Sequence, residues 1–174
     1  MPREQFHRSD ETIIPFKSSP NCSGRTQRVT NIVLHSTCSG LDPEKSFNSA
    51  VNWLCNPEAS ASAHFVVPRD GLGIVQLVDV NKQAWHAGKS TWEGREGVNG
   101  FSVGIEIDHQ DNEDEWPILQ VQAVAILCRE LCEYFGLDPL GGCIISHAEI
   151  AVPHGRKVDP VDFPWWQLTQ FLGG

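Results

Sequence analysis

The sequence is short of positive charge and has no long apolar run. It contains 13 lysines and arginines against 22 aspartates and glutamates, which gives a net charge of −9. This deficit argues against nucleic acid as a partner, because phosphate backbones are bound by basic side chains. No apolar stretch approaches the roughly 18 residues of a membrane-spanning helix, so the sequence predicts neither a span nor a membrane anchor.

The first residues also lack the apolar segment of a signal peptide. They read MPREQFHRSDET and are mostly polar. Since a signal peptide needs an apolar stretch of about 7–15 residues, we expect synthesis in the cytoplasm without such a signal. Any action outside the cell would then need another route of release.

Paired cysteine motifs are missing as well. The six cysteines include no C-x-x-C pair, and disulfides are rare in a reducing compartment. Cys128 and Cys132 lie four residues apart on an apolar helical stripe. Since cysteine is among the most buried residue types, we expect free, buried thiols.

The remaining composition is that of one globular domain. The chain has 174 residues, of which 40% are hydrophobic and 20% charged, enough to close a single core. Residues 1–28 are polar and contain several prolines and serines, which predicts an irregular N-terminal arm. The folded domain is predicted to span residues 29–174. We expect the protein to be a monomer.

Strand and helix patterns alternate along this domain. Strands are predicted at Asn31–His35, Ala63–Val67, Gly73–Val78, Phe101–Asp108 and Cys143–Ser146, the second and third forming a hairpin. Helices are predicted from Asp42 to Cys55, from Pro117 to Gly136 and from Pro164 to Leu172, and a glycine-rich surface loop at 88–100. The order predicts a single α/β domain with a central mixed β-sheet flanked by α-helices.

Two histidines stand at the ends of predicted strands. His35 ends the first strand, His147 follows the last, and Asp159 lies twelve residues further on. Two histidines and a carboxylate can bind zinc and leave a fourth position for water, whose pKa the metal lowers from about 15.7 towards 7. Spacing alone leaves open that these histidines are ordinary surface or core residues.

Glu106 lies within the alternating strand FSVGIEID. Alternation places it on the face opposite Ile105 and Ile107. Either that face of the strand is simply exposed to solvent, or the carboxylate points into a cleft and acts as a general base.

Five segments occur in unbroken order from about residue 28 to the C-terminus: NIVLHST, SAHFVVPRDG, AWHAG, FSVGIEI and SHAEIAVPHGRKVDP. Together they resemble the zinc-dependent N-acetylmuramoyl-L-alanine amidase family, which includes phage endolysins and cytoplasmic wall-recycling amidases and is related to peptidoglycan-recognition proteins. The resemblance implies an amidase/peptidoglycan-recognition-protein-like fold and a Zn²⁺ cofactor. It also implies hydrolysis of the bond between N-acetylmuramic acid and L-alanine, with peptidoglycan or a muropeptide as substrate.

The resemblance also assigns individual residues. It implies that His35, His147 and Asp159 are the zinc ligands. Glu106 matches the catalytic glutamate, and Lys157 matches a lysine that stabilises the tetrahedral intermediate.

Further residues are matched to substrate binding. Trp85 and His86 stand in the segment that lines the substrate groove, and His64 matches a supporting histidine near the site. Trp92 and Arg95, in the glycine-rich loop, could contact glycan or peptide, because binding residues concentrate in loops.

Two departures from the family pattern bear on the site. The last motif is lengthened by VPHG, which adds His154 as a competitor of His147 for the metal, although the SHAEI frame favours His147. The only tyrosine, Tyr134, falls in a predicted helix, so a catalytic tyrosine is not expected and the base role falls to Glu106.

Some residues have structural explanations that we prefer. One of Trp165 and Trp166 should be a core residue, since they point to different sides of a helix. The acidic run at 111–115 lacks the ligand spacing of a calcium site and predicts a solvated loop.

Several functions remain open at this level. An endolysin, which acts on the wall after release from the cell, is slightly preferred over a recycling amidase that trims imported wall fragments. A binding module without activity is disfavoured because the matched ligands, Glu106 and Lys157 are all present. A zinc peptidase acting on the stem peptide is the remaining alternative.

Overall fold

The computed structural model describes residues 5–6, 13–38, 42–110 and 115–174. The strands in this part of the chain are β1 (Cys22–Gly24), β2 (Asn31–Ser36), β3 (Phe65–Val67), β4 (Val75–Gln76), β5 (Lys82–Ala84), β6 (Thr91–Trp92), β7 (Arg95–Glu96), β8 (Ser102–Ile107) and β9 (Ile144–Ser146). The helices are α1 (Pro43–Leu54), α2 (Ile118–Phe135), α3 (His147–Ile150) and α4 (Trp165–Leu172), with 3-10 turns at Pro57–Ala59 and Val98–Phe101. Most of the acidic run, 111–114, lies outside the described residues.

A five-stranded mixed sheet forms the centre of the domain. Its strand order is β4-β3-β8-β2-β9. Strands β3, β8, β2 and β9 run parallel, and β4 is antiparallel to β3. The predicted α/β fold with a central mixed sheet is confirmed, and so is the hairpin of β3 and β4.

The two faces of the sheet carry different cores. On one face the alternate residues Ile32 and Leu34 of β2 and Ile105 of β8 pack with α2 and α4 in the largest hydrophobic cluster. On the other face Val33 packs in a smaller cluster with Phe101. Because side chains alternate along a strand, His35 and Glu106 belong to this second face.

Helix α2 is the main cover of the first face. Val121, Val124, Cys128 and Leu131 are buried along one side, which is the apolar stripe that the sequence predicts. The helix ends at Gly136, whose φ of 67° is left-handed and whose N–H bonds to the carbonyls of the last turn, as expected for a glycine at this position. No helix within the described residues combines the length and apolarity needed to cross a bilayer.

The described residues of the predicted arm lie against the domain. Ile14 is buried, Phe16 forms a bridge to Gln76, and β1 pairs antiparallel with β5. Burial of this segment is provided by tertiary contacts, which its polar sequence does not reveal. The division into an arm and a domain at residue 28 stays a prediction.

Several short elements were not expected from the sequence. They include β1 and its partner β5, the β6–β7 hairpin within the predicted loop 88–100, and α3. Helix α3 begins with a complete capping box, in which Ser146 Oγ accepts from the Glu149 N–H and the Glu149 carboxylate accepts from the Ser146 N–H. The pattern S-x-x-E is a known signal of a helix start, so α3 could have been predicted.

All six cysteines are free thiols, as predicted, but the expected burial holds only for Cys128 and Cys132, which lie on the apolar stripe of α2. The other four lie outside that stripe: Cys38 is exposed, and Cys22, Cys55 and Cys143 are partly buried. Cys128 and Cys132 are buried on α2, and the Sγ of Cys132 lies 3.6 Å from the Sγ of Cys143.

Candidate functional site

The site lies at the carboxyl ends of the parallel strands. His35 is the fifth residue of β2, Glu106 is the fifth residue of β8, and His147 begins α3 directly after β9. Parallel strands end at the same edge of a sheet, where α/β proteins commonly bind ligands. The fold thereby brings together residues that are up to 112 positions apart in sequence.

Three of the predicted residues converge there on one point. His35 Nδ1 lies 2.9 Å from His147 Nδ1, His147 Nδ1 lies 3.0 Å from Asp159 Oδ2, and His35 Nδ1 lies 3.6 Å from Asp159 Oδ2. Among the described residues, these three side chains form the one cluster whose ligand atoms lie close enough together to hold a metal ion.

This donor set fits zinc. Tetrahedral zinc with bonds of about 2.0–2.1 Å separates its ligand atoms by about 3.3 Å, and the three observed distances lie on either side of that value. Two neutral imidazoles and one carboxylate are also ligands that zinc favours. The residues are therefore suitable in both geometry and chemistry.

The electrostatics keep these groups in a metal-binding form. Burial lowers the pKa of His35 to about 4, with Asp159 acting in the opposite direction. Burial would raise the pKa of Asp159, but the hydrogen bond from His147 and the proximity of the His35 ring outweigh it and hold that pKa below its ordinary value. At neutral pH the site thus offers a neutral His35 and an ionised carboxylate.

Asp159 is held by the start of helix α3. The Ala148 N–H donates to the Asp159 carbonyl at 3.0 Å. This bond ties the loop that follows α3 to the helix that begins with His147. The competing histidine, His154, is exposed and does not belong to the metal-ligand group, so the structure favours His147.

A cleft of about 650 Å³ opens over these residues. Glu106, Lys157 and Trp85 all line it, as the resemblance implies. Glu106 is partly buried and Lys157 is exposed. The cleft therefore presents a carboxylate, an ammonium group and an indole beside the three candidate ligands.

Two predicted substrate-binding residues are not brought to the cleft. His64 is fully buried, with its Nδ1 accepting from the Gly104 N–H at 2.9 Å. Arg95 stacks on the Phe101 ring at 3.7 Å and donates to Gln27. Neither side chain is among those that line the cleft.

His86 lines the cleft but is largely buried. Its side chain is hydrogen-bonded on both nitrogens, to His35 and to Ser102. Its surroundings are therefore those of a supporting residue behind His35 more than those of a substrate contact.

Sequence reasoning missed several residues of the cleft wall, among them two with large side chains. Trp53, on α1, is 53% exposed and lines the cleft, as does Arg156. A tryptophan on the polar side of an amphipathic helix was the available signal for the first. Arg156 donates to the carbonyls of Ala87 and Lys89. These bonds join the segment that follows His86 to the loop that carries Asp159.

Three further tryptophans do not line the cleft. Trp165 packs against the large core and Trp166 is 69% exposed, as predicted for two adjacent helical residues. Trp92 packs against the smaller cluster around Phe101.

Known proteins resemble this chain in both sequence and fold. The chain is 39% identical over 99 residues to the 1,6-anhydro-N-acetylmuramyl-L-alanine amidase AmpD of Escherichia coli. The aligned region covers 57% of this chain and 51% of AmpD. It is 30% identical over 158 residues to the N-acetylmuramoyl-L-alanine amidase AmiD of E. coli, covering 82% of this chain and 53% of AmiD. The chain thus spans about half the length of these curated relatives.

Solved structures agree with these matches. A selenomethionine derivative of AmpD superimposes with a TM-score of 0.77 at 27% identity, over 91% of this chain and 93% of that one. AmiD in complex with anhydro-N-acetylmuramic acid-L-Ala-D-γ-Glu-L-Lys gives 0.70 at 30% identity, over 83% and 58%. A mutant endolysin from Bacillus subtilis gives 0.70 at 22% identity, over 91% and 97%, and so shares the fold.

A family profile agrees with these matches. Residues 25–162 match the family described as N-acetylmuramoyl-L-alanine amidase. This range contains all three candidate ligands, Glu106 and Lys157, and it covers well over half of the chain. The chain therefore belongs to the N-acetylmuramoyl-L-alanine amidase family.

Proposed function

We propose that the chain is a zinc-dependent amidase that hydrolyses the bond between N-acetylmuramic acid and L-alanine. The observation that carries the proposal is the convergence of His35 with His147 and Asp159, the last two of which line one cleft together with Glu106. Three protein ligands leave zinc a position for water, which is the arrangement of a catalytic site. Family membership supports the choice of bond.

The chemistry divides between the metal and the side chains. When bound, zinc supplies a Lewis acid for the scissile carbonyl and lowers the pKa of water towards 7. Glu106 takes the proton of the attacking water and returns it to the departing alanine nitrogen. Lys157, at the cleft wall, stabilises the negative charge that develops on the carbonyl oxygen.

The substrate that we propose is a soluble anhydromuramoyl peptide. Two relatives at 30% identity or more support it: the name of AmpD specifies the 1,6-anhydro sugar, and AmiD binds an anhydromuramoyl tripeptide. The endolysin that the sequence slightly favoured shares the fold at 22% identity, and its likeness supports that role less. We therefore put the recycling amidase ahead of the endolysin.

The test is digestion of two substrates by the purified protein. We expect cleavage of soluble anhydromuramoyl peptides, with fragment masses that correspond to the sugar and the intact stem peptide. A chelator should abolish the reaction and added zinc should restore it. Faster digestion of intact sacculi would favour the endolysin, fragments cut within the stem would favour a peptidase, and binding without cleavage would contradict the proposal.

A further inference from the structure

A series of buried hydrogen bonds leads from His35 through His86 to Ser102. His35 Nε2 lies 3.0 Å from His86 Nδ1, and His86 Nε2 lies 3.2 Å from Ser102 Oγ. All three side chains are buried, and Ser102 is fully so.

The direction of this series of bonds is set at its far end. The Ser102 hydroxyl donates its single proton to the Val98 carbonyl at 2.7 Å. Its oxygen can then only accept from His86, so His86 carries its proton on Nε2 and leaves Nδ1 as an acceptor. His35 must donate to that acceptor from Nε2.

The consequence falls on the other nitrogen of His35. A neutral imidazole with its proton on Nε2 has its lone pair on Nδ1, and Nδ1 is the atom that faces His147 and Asp159. We propose that the Ser102–His86 pair acts as a positioning relay, which fixes the tautomer and ring orientation of His35 for zinc binding. The inference rests on the proposed zinc function and adds to it a role for two residues.

The backbone around His86 is built for this role. The Asn99 carboxamide oxygen accepts from the N–H groups of His86 and Ala87 at 3.0 and 2.7 Å. The backbone position of His86 is thus fixed independently of its ring.

Gly104 makes room for the ring. A Cβ added to Gly104 would lie only 2.4–2.7 Å from three atoms of the His86 imidazole. The glycine of the GIE segment is therefore required by the close approach of His86 to strand β8.

The second histidine of the site lacks such a relay. His147 Nε2, the ring nitrogen that does not face His35 and Asp159, is buried with no hydrogen-bond partner among the described residues.

The first measurement is the tautomer of His35 in the metal-free protein. Imidazole ¹⁵N–¹H correlation spectra at neutral pH should show the proton on Nε2 of both His35 and His86. His86→Leu removes the acceptor and should leave His35 in a mixture of tautomers. Ser102→Ala removes the acceptor of His86 and should allow both histidines to exchange their protonated nitrogen.

The second measurement is zinc affinity, by competition with a chromophoric chelator. Loss of a partner that orients a histidine ligand typically weakens metal binding 10- to 100-fold, which we expect for His86→Leu. His86→Asn keeps an acceptor near the position of Nδ1 and should recover part of the affinity. Gly104→Ala displaces the ring without removing a polar group and should also weaken binding.

Matched controls separate this role from general damage to the fold. His154→Asn changes an exposed histidine that is not one of the candidate ligands. Ser19→Ala removes a buried serine hydroxyl that, like that of Ser102, donates to a backbone carbonyl, here that of Leu54. Both should keep wild-type zinc affinity.

The inference is overturned if folded His86→Leu and Gly104→Ala bind zinc within twofold of wild type. It is also overturned if His35 keeps one tautomer in both His86→Leu and Ser102→Ala. A wild-type protein that shows the expected tautomers and binds zinc, yet cuts no muramoyl amide, would refute the proposed function and support the relay.

Discussion

Glu106 lies directly beside His35 in the register of the central sheet, as its Cα partner on the neighbouring parallel strand. Both side chains project from the face that does not pack against α2 and α4. Glu106 lines the same cleft as His147 and Asp159 but is not one of the three candidate metal ligands, so its carboxylate is available as a base there.

Replacement of Glu106 by Gln should therefore separate metal binding from catalysis. The variant keeps the shape of the side chain but cannot accept the proton, and general-base contributions are typically 10²–10⁴-fold. We expect kcat to fall about 100-fold or more while zinc content, measured by atomic absorption, is unchanged. Near wild-type turnover in this variant would show that another group is the base.

Lys157→Met should reduce kcat more than it changes KM. Loss of one group that stabilises an oxyanion costs about 10²–10³-fold in kcat. Steady-state kinetics on an anhydromuramoyl peptide would measure both constants. The control is Lys45→Met, since Lys45 is an exposed residue of α1 outside the cleft; an equal loss there would point to charge in general.

The choice of ligands can be tested by zinc stoichiometry. His147→Ala and Asp159→Asn should each lose most of the roughly one zinc per chain that a single site binds. His154→Ala should retain it, because His154 lies outside the ligand group. If the His154 variant lost zinc and the His147 variant kept it, the assignment would have to be reversed.

The burial of His64 predicts acid sensitivity. Its pKa is lowered to about 3, first by burial and then by the charge of Arg25, whereas the unfolded chain titrates near 6.5. Between these values the unfolded state binds one more proton, so the free energy of unfolding should fall as the pH falls from about 6.5 to 3. The contribution is about 1.4 kcal/mol per pH unit.

Urea unfolding of the metal-free protein between pH 4 and 6.5 would measure this slope. In His64→Gln, which cannot titrate, the slope should be shallower by that amount. Identical slopes in the two proteins would mean that His64 is not the responsible group.

Two neighbouring glycines provide a test of packing against α2. Gly71 and Gly73 both have φ near 70°, but a Cβ on Gly71 would lie 2.5 Å from the Leu119 carbonyl oxygen, while one on Gly73 would meet nothing within 4 Å. Alanine should cost about 1–2 kcal/mol at either position for the left-handed backbone. At Gly71 overpacking adds about 1–3 kcal/mol, so Gly71→Ala should be the less stable variant in denaturant unfolding.

The sequence predicted those parts of the site that strand patterns control. The alternation of β8 placed Glu106 opposite its apolar neighbours, and His35 and His147 were expected at strand ends. The main helices followed from their apolar stripes and from Gly136.

The support behind the site could not be predicted in the same way. Ser102 and Asn99 look like ordinary polar residues in the sequence, and their roles arise only from contacts across the fold. His64 and Arg95 stand in or near family segments but lie away from the cleft, because a motif does not state which way a side chain points. Helix α3 had a readable signal in Ser146 and Glu149, but it is only four residues long.

The separation of the ligands along the chain has a consequence for folding. His35 comes from one end of the domain and His147 and Asp159 from the other, and they meet only when β2 and β9 are paired side by side in the sheet. An unfolded or half-folded chain cannot hold these three side chains together, so this particular site exists only when the sheet is complete. Occupancy of the site is therefore a reporter of folding, and zinc bound there should stabilise the folded protein by mass action, in proportion to the logarithm of the free zinc concentration.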